Sequence, residues 1–193
     1  MITLASKSAA RTQVLSAAGV SFEAIGAGVD EGVIKDELLA NGAGPREVAE
    51  ALAERKALAA NRPGLVIGAD QTLDLDGRLF DKAETLEEAR ERLQFLRGKT
   101  HKLHSAVAVA RDGQIIWRET PAATLTMRDF SDAYLDAYLA RHGEGLLGSV
   151  GCYRLEDDGV QLFEAIDGDY FTILGLPLMG LLDLLRREGA LAA

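Results

Sequence analysis

The sequence predicts a single α/β domain with a mixed, elongated sheet flanked by helices. Three observations carry this. In the N-terminal half, short apolar segments of strand length alternate with longer segments of helical periodicity. In the C-terminal half, Asp112-Gly113 and Asp167-Gly168 mark hairpins, which add antiparallel strands. The chain has 193 residues, 48% hydrophobic and 26% charged, without repeat or low-complexity linker. One domain of that size buries about 70% of the surface its unfolded chain exposes, without staples.

In chain order, residues 1–5 read as a short strand. Ser8 supplies an N-cap for a helix over 9–18, which Gly19 ends. Ser21 to Ile25 reads as a second strand and Asp30-Glu31-Gly32 as a turn. Pro45 opens a helix over Arg46 to Ala60, where Val48, Ala51, Leu52 and Leu58 recur at helical spacing. Pro63-Gly64 precedes the most apolar strand, Leu65 to Ala69, and Asp76-Gly77 folds Thr72 to Phe80 into a short hairpin. A helix runs from Thr85 to Leu96. His104 to Ala110 pairs with Gln114 to Thr120, and Thr124 to Met127 extends the sheet. Ser131 caps a helix to Arg141. Val160 to Ile166 and Tyr170 to Leu174 read as strands, and Pro177 opens a last helix reaching Arg187.

Lys and Arg total 21 against 30 Asp and Glu, a net charge of −9. That balance opposes coating of nucleic acid or docking to an anionic membrane, yet permits a local basic pocket. No segment approaches the roughly 20 apolar residues of a membrane span. Met1 to Lys7 lacks the basic region and apolar run of a signal peptide. Cys152 is the only cysteine, so no internal disulfide forms and a cytoplasmic setting is expected.

Arg97-Gly98-Lys99-Thr100 ends like a P-loop, but Leu93 stands where that loop needs glycine, and the segment follows a helix. Glu87, Glu88 and Glu91, interleaved with Arg90 and Arg92, read as a solvated helix face. His101, His104 and His142 lack zinc-ligand spacing, and His101 and His104 fall on opposite faces of one strand, so structural or surface roles are expected.

Two segments point to chemistry. In Ser6-Lys7-Ser8-Ala9-Ala10-Arg11 a strand feeds a helix through two hydroxyls, and the helix N-terminus offers unpaired N–H groups to a phosphate. Arg11 opposes the helix dipole there, a conflict that a bound anion resolves; a capping serine beside an exposed arginine is the alternative. Asp70 follows the most apolar strand, where a carboxylate can hold a divalent cation, accept a proton from water or cap a turn. Lys56 and Lys82, with Arg11, neutralise a polyphosphate if the fold gathers them.

Together these segments resemble the Maf family, the septum formation inhibitor Maf-like proteins. The family opening L-A-S-x-S-P-R-R corresponds to Leu4-Ala5-Ser6-Lys7-Ser8-Ala9-Ala10-Arg11, its V-D-E to Val29-Asp30-Glu31 and its helical K-A to Lys56-Ala57. Its G-A-D-T corresponds to Gly68-Ala69-Asp70-Gln71, G-K-P to Asp81-Lys82-Ala83 and G-x-T-H to Gly98-Lys99-Thr100-His101. Gly168-Asp169-Tyr170 and Gly175-Leu176-Pro177-Leu178 complete the ordered set.

The resemblance implies a fold related to inosine triphosphatase and a homodimer. It implies a nucleoside triphosphate pyrophosphatase that releases a monophosphate and pyrophosphate with Mg²⁺ or Mn²⁺. It places the catalytic carboxylate on Asp70 and the phosphate-binding and metal-site residues on Ser6, Arg11, Glu31, Lys56 and Lys82; Glu31 and Asp70 are the expected metal ligands, and Ser8 joins Ser6 and the helix amides in holding the phosphates. Ala9, Ala10 and Ala83 replace the family's Pro, Arg and Pro. Gln71 with Glu156 is similar to the branch acting on 7-methyl-GTP, which often carries Trp at the Ala10 position. Ala10, Gln71 and Glu156 are therefore the expected base-side residues, although Glu156 also suits an acidic turn with Asp157 and Asp158. A non-catalytic nucleotide-binding regulator of cell division is the alternative that Ala9 and Ala10 motivate.

Overall fold

A computed structural model describes residues 1–192. Its strands are β1 (Ile2–Ala5), β2 (Glu23–Ile25), β3 (Leu65–Leu75), β4 (Arg78–Phe80), β5 (Thr100–Arg111), β6 (Gln114–Glu119), β7 (Ala122–Met127) and β8 (Phe163–Asp167). The helices among the described residues are α1 (Ala9–Ala17), α2 (Glu31–Ala40), α3 (Pro45–Ala59), α4 (Leu86–Leu96), α5 (Asp132–His142), α6 (Tyr170–Ile173) and α7 (Leu178–Arg187). Two 3-10 turns, Gly143–Gly148 and Asp158–Leu162, precede β8. The expected mixed α/β sheet is present. Its order is β2-β1-β3-β5-β7-β8, with β4 on β3 and β6 on β5.

β1 is parallel to both β2 and β3, while every other pairing is antiparallel. The axis is the β3–β5 ladder, in register from Val66↔Ala110 to Asp74↔Lys102. β5 outruns any single neighbour on its far edge, so β6 pairs with its C-terminal half and β7 with its N-terminal half. Pro121, which has no N–H to donate, separates those two strands, and its carbonyl still accepts from Ser105 N at 3.1 Å.

Alternation along β1, β3 and β5 sends side chains to two cores. Leu4, Ile67 and Val109 pack with Leu15 of α1 and Leu181 and Leu185 of α7. Ala5, Val66, Ala106 and Ala108 pack with Ala49, Ala53 and Ala57 of α3. The small residues bring α3 very near the sheet. A Cβ at Gly68 would lie 2.1 Å from the Ala53 carbonyl oxygen and 2.5 Å from Ala57 N. A third core joins Leu73, Leu93, Leu103, Leu125, Leu135 and Tyr138 beneath α4 and α5.

Four local expectations are corrected. Asp30-Glu31-Gly32 is no turn: Asp30 caps α2 by accepting from Val33 N at 3.1 Å. Tyr170 to Leu174 is no strand. Asp169 caps α6 by accepting from Thr172 N at 2.8 Å, and Val160 to Leu162 lies in a 3-10 turn, so the last strand starts at Phe163. The apolar run 65–69 does not end at Ala69 but continues as one strand to Leu75, placing Asp70 in mid-ladder.

Candidate active site

A cleft of about 870 Å³ opens beside β1 and β3, walled by the β1–α1 loop, α2, the loop after β4 and the segment 145–156. On β3, Val66, Gly68, Asp70 and Thr72 share the face toward α3; Thr72 Oγ1 donates to the Pro45 carbonyl there at 2.8 Å. The close contact at Gly68 sets Lys56 of α3 over Asp70. The Lys56 ammonium, 6% exposed, donates to Asp70 Oδ1 at 2.7 Å and pairs with Glu31 Oε1 at 2.9 Å. Burial opposes ionisation of Glu31. The hydrogen bond and charge of Lys56, with the charges of Lys35 and Lys82 behind them, overcome that and hold its carboxyl below the usual range.

Ser8 is the expected N-cap of α1, accepting from Arg11 N at 3.4 Å. Ser6 Oγ accepts from Ser8 N at 3.2 Å and from Arg11 Nη1 at 3.3 Å. Arg11 is anchored more firmly than an exposed arginine. Its Nε donates to the Gly175 carbonyl at 2.7 Å and its Nη1 to the Ala69 carbonyl at 3.0 Å. Burial lowers its pKa, against the charges of Asp70 and Glu31. Gly175 permits this approach with a φ of +85°, in the left-handed region.

Lys82 borders the cleft from the loop after β4. The residue is solvent-exposed, yet partial loss of hydration around its ammonium lowers its pKa, as does the charge of Arg11; Glu31 and Asp70 oppose this and Lys56 adds to it. Thus the structure gathers Ser6, Ser8, Arg11, Glu31, Lys56, Asp70 and Lys82 around one cleft.

Ala10, Gln71 and Glu156, expected on the base side, also line it. Gln71 faces away from α3, and its amide nitrogen is committed to Ser105 Oγ at 2.8 Å, the Ile173 carbonyl at 2.9 Å and the Thr172 carbonyl at 3.1 Å. Only its carbonyl oxygen remains for a ligand. Glu156 does both things expected of it as alternatives: it borders the cleft and belongs to an acidic turn, where Arg154 Nε reaches Glu156 Oε1 at 3.3 Å and Asp157 Oδ2 at 3.1 Å.

Sequence reasoning missed Lys35 and Tyr153. Lys35 of α2 also lines the cleft and pairs with Asp81. Its spacing of four from Glu31 puts both on one helix face, a signal hidden by reading a turn there. Tyr153 lines the cleft and bonds His101 Nε2 through its hydroxyl at 2.7 Å. His101 is 1% exposed, and burial lowers its pKa to about 4. His104 reaches Asp74 Oδ2 at 3.1 Å, so both histidines have the structural roles expected. Among the described residues, no cluster of three or more His, Cys, Asp or Glu could hold a metal, and no helix is long and apolar enough to cross a membrane.

A family model described as Maf-like protein matches residues 1–188. The chain is 65% identical over 192 residues to a nucleoside triphosphate pyrophosphatase of Caulobacter vibrioides, covering 98% of this chain and 96% of that protein. It is 51% identical over 191 residues to a nucleoside triphosphate pyrophosphatase of Paramagnetospirillum magneticum, covering 97% and 98%. It is 49% identical over 190 residues to a 7-methyl-GTP pyrophosphatase of Brucella suis, covering 97% and 96%.

Proposed function

This chain belongs to the family of Maf-like proteins, and on that premise we propose that it is a nucleoside triphosphate pyrophosphatase, cleaving between the α and β phosphates. One observation carries the chemistry: Lys56 holds two carboxylates, Asp70 and Glu31, at the floor of a cleft bordered by further cations. Phosphoryl transfer needs charge neutralisation, positioning and an oriented water more than covalent chemistry. Ser6, Ser8 and the N–H groups opening α1 bind phosphate oxygens. Lys56, Lys82 and the Arg11 guanidinium offset their charge. Asp70 keeps Oδ2 for the attacking water, because Lys56 occupies Oδ1. From there it orients that water and takes its proton as the oxygen bonds to the α phosphorus and pyrophosphate leaves.

A divalent cation fits the donor set. Mg²⁺ is commonly held by one or two carboxylates together with substrate phosphates, and Glu31 and Asp70 converge on a single ammonium that marks a site for positive charge. Those two residues would hold Mg²⁺ or Mn²⁺, which supplies charge stabilisation to the phosphates and lowers the pKa of water.

For the base, Glu156 and the Gln71 carbonyl oxygen favour a purine. A guanine edge offers two neighbouring donors to a carboxylate, and N7-methylation adds positive charge that a carboxylate also favours. Uracil and thymine turn two carbonyl acceptors toward it. The family resemblance and the single cysteine support a homodimer acting in the cytoplasm, which sedimentation and cell fractionation address. The deciding experiment is a panel of nucleoside triphosphates, 7-methyl-GTP included, with Mg²⁺ or Mn²⁺. Pyrophosphate should be released. Release of orthophosphate alone, or tight nucleotide binding without turnover, refutes the enzyme reading.

A further inference from the structure

Resting on the pyrophosphatase reading, we propose that Arg92 is a positioning residue that places Lys82 against the opposite wall of the cleft. Arg92 lies on α4, where the acidic pattern predicts a solvated face. Glu87, Glu88 and Glu91 are indeed exposed, but Arg92 turns inward. Its Nη1 donates to the Asp81 carbonyl and to the Val150 carbonyl, each at 2.7 Å. Both hydrogens of one nitrogen are thus used, one on each of two loops that border the cleft. The guanidinium also sits 4.9 Å from the ring centroid of Phe80, the last residue of β4, which orients it.

The two carbonyls are well placed to matter. Asp81 immediately precedes Lys82. Val150 immediately precedes Gly151-Cys152-Tyr153, where Cys152 has a φ of +57° and Gly151 has no room for a side chain: a Cβ would lie 2.2 Å from the Tyr153 ring. Among the described residues, no hydrogen bond or ion pair fixes the Lys82 ammonium, and the residue is exposed, so its location follows from the backbone of its loop. Arg92 therefore acts on phosphate binding through Lys82, without touching the phosphates.

The test is a double-mutant cycle of Arg92→Met and Lys82→Met, read as Kd for inorganic tripolyphosphate by calorimetry and as kcat/KM for the best nucleotide of the panel. Binding needs no turnover, so a wild type silent toward every nucleotide refutes the pyrophosphatase reading while the cycle still decides the role of Arg92. We expect Arg92→Met to weaken tripolyphosphate binding by about tenfold, and to do so by less than about threefold in the Lys82→Met background, because residues acting as a unit are not additive. Arg92→Lys keeps the charge and a nitrogen able to serve two carbonyls but loses the planar group over Phe80, so it should recover part of the loss that Arg92→Met shows. Should Arg92→Met not fold, Arg92→Gln replaces it in the cycle. Wild-type affinity in the Arg92 variant, or an undiminished loss in the Lys82→Met background, overturns the proposal.

Discussion

Acid should destabilise this protein through one buried ring. His101 is 1% exposed and titrates near 4 in the folded state, against 6.5 when unfolded. As the pH falls, the unfolded chain takes up this proton first. Stability is therefore complete above pH 6.5, declines between 6.5 and about 4, and is not lost further below that by this group. At about 1.36 kcal/mol per pH unit, the interval amounts to about 3 kcal/mol, of which roughly 1.4 kcal/mol is lost by pH 5.5. Urea unfolding at pH 7.5 and 5.5 measures it. His101→Gln removes the titration while keeping an amide for the Tyr153 hydroxyl, so the difference between the two proteins subtracts the carboxylates. The wild type should lose about 1.4 kcal/mol more than His101→Gln over that range. Equal losses refute the reasoning.

Asp70→Asn keeps shape but removes the proton acceptor, so turnover should fall by about 10²–10⁴-fold while nucleotide still binds; near-normal turnover would move the chemistry elsewhere. Gly68→Ala forces a methyl group against the α3 backbone, and thermal unfolding should show about 1–3 kcal/mol of destabilisation, with a loss of activity because α3 carries Lys56. Unchanged stability would mean that α3 yields without strain. Glu156→Gln should reduce the kcat/KM preference for GTP-type over UTP-type substrates by about tenfold, on the order of 1.4 kcal/mol. An unchanged ratio leaves Glu156 to its contact with Arg154.

Where local chemistry dominated, the sequence was readable. The caps Ser8 and Ser131 and the proline opening α3 all stand at helix starts. Legibility failed where distant contacts decide. α2 turns only Ile34 and Leu38 to the core, a stripe of two residues, and its Gly32 resembles a turn. Tyr170-Phe171-Thr172-Ile173 has the aromatic and β-branched composition of a strand, but Asp169 caps it as a helix, and its carbonyls accept from Gln71 and Ser105. The site was legible as a set of residue types. Its wiring was not: nothing near Arg11 in sequence announces an acceptor at Gly175, and nothing in α4 announces that Arg92 faces inward while Arg90 pairs with Asp136.

The bond between Arg11 and Gly175 spans 164 positions, and Gln71 reaches Thr172 and Ile173 across 101 and 102. These ties bear on the order of synthesis. A growing chain displays Ser6, Lys56, Asp70 and Lys82 long before it contains the carbonyls that orient Arg11 and Gln71. β1 and β3 can pair early, but their apolar face is covered by α7, which lies more than 100 residues further along the chain. An incomplete chain therefore holds the charged parts of a hydrolase without the means to aim them. The aim of Arg11 and Gln71 thus depends on residues 172–175, and the cover over β1 and β3 on α7.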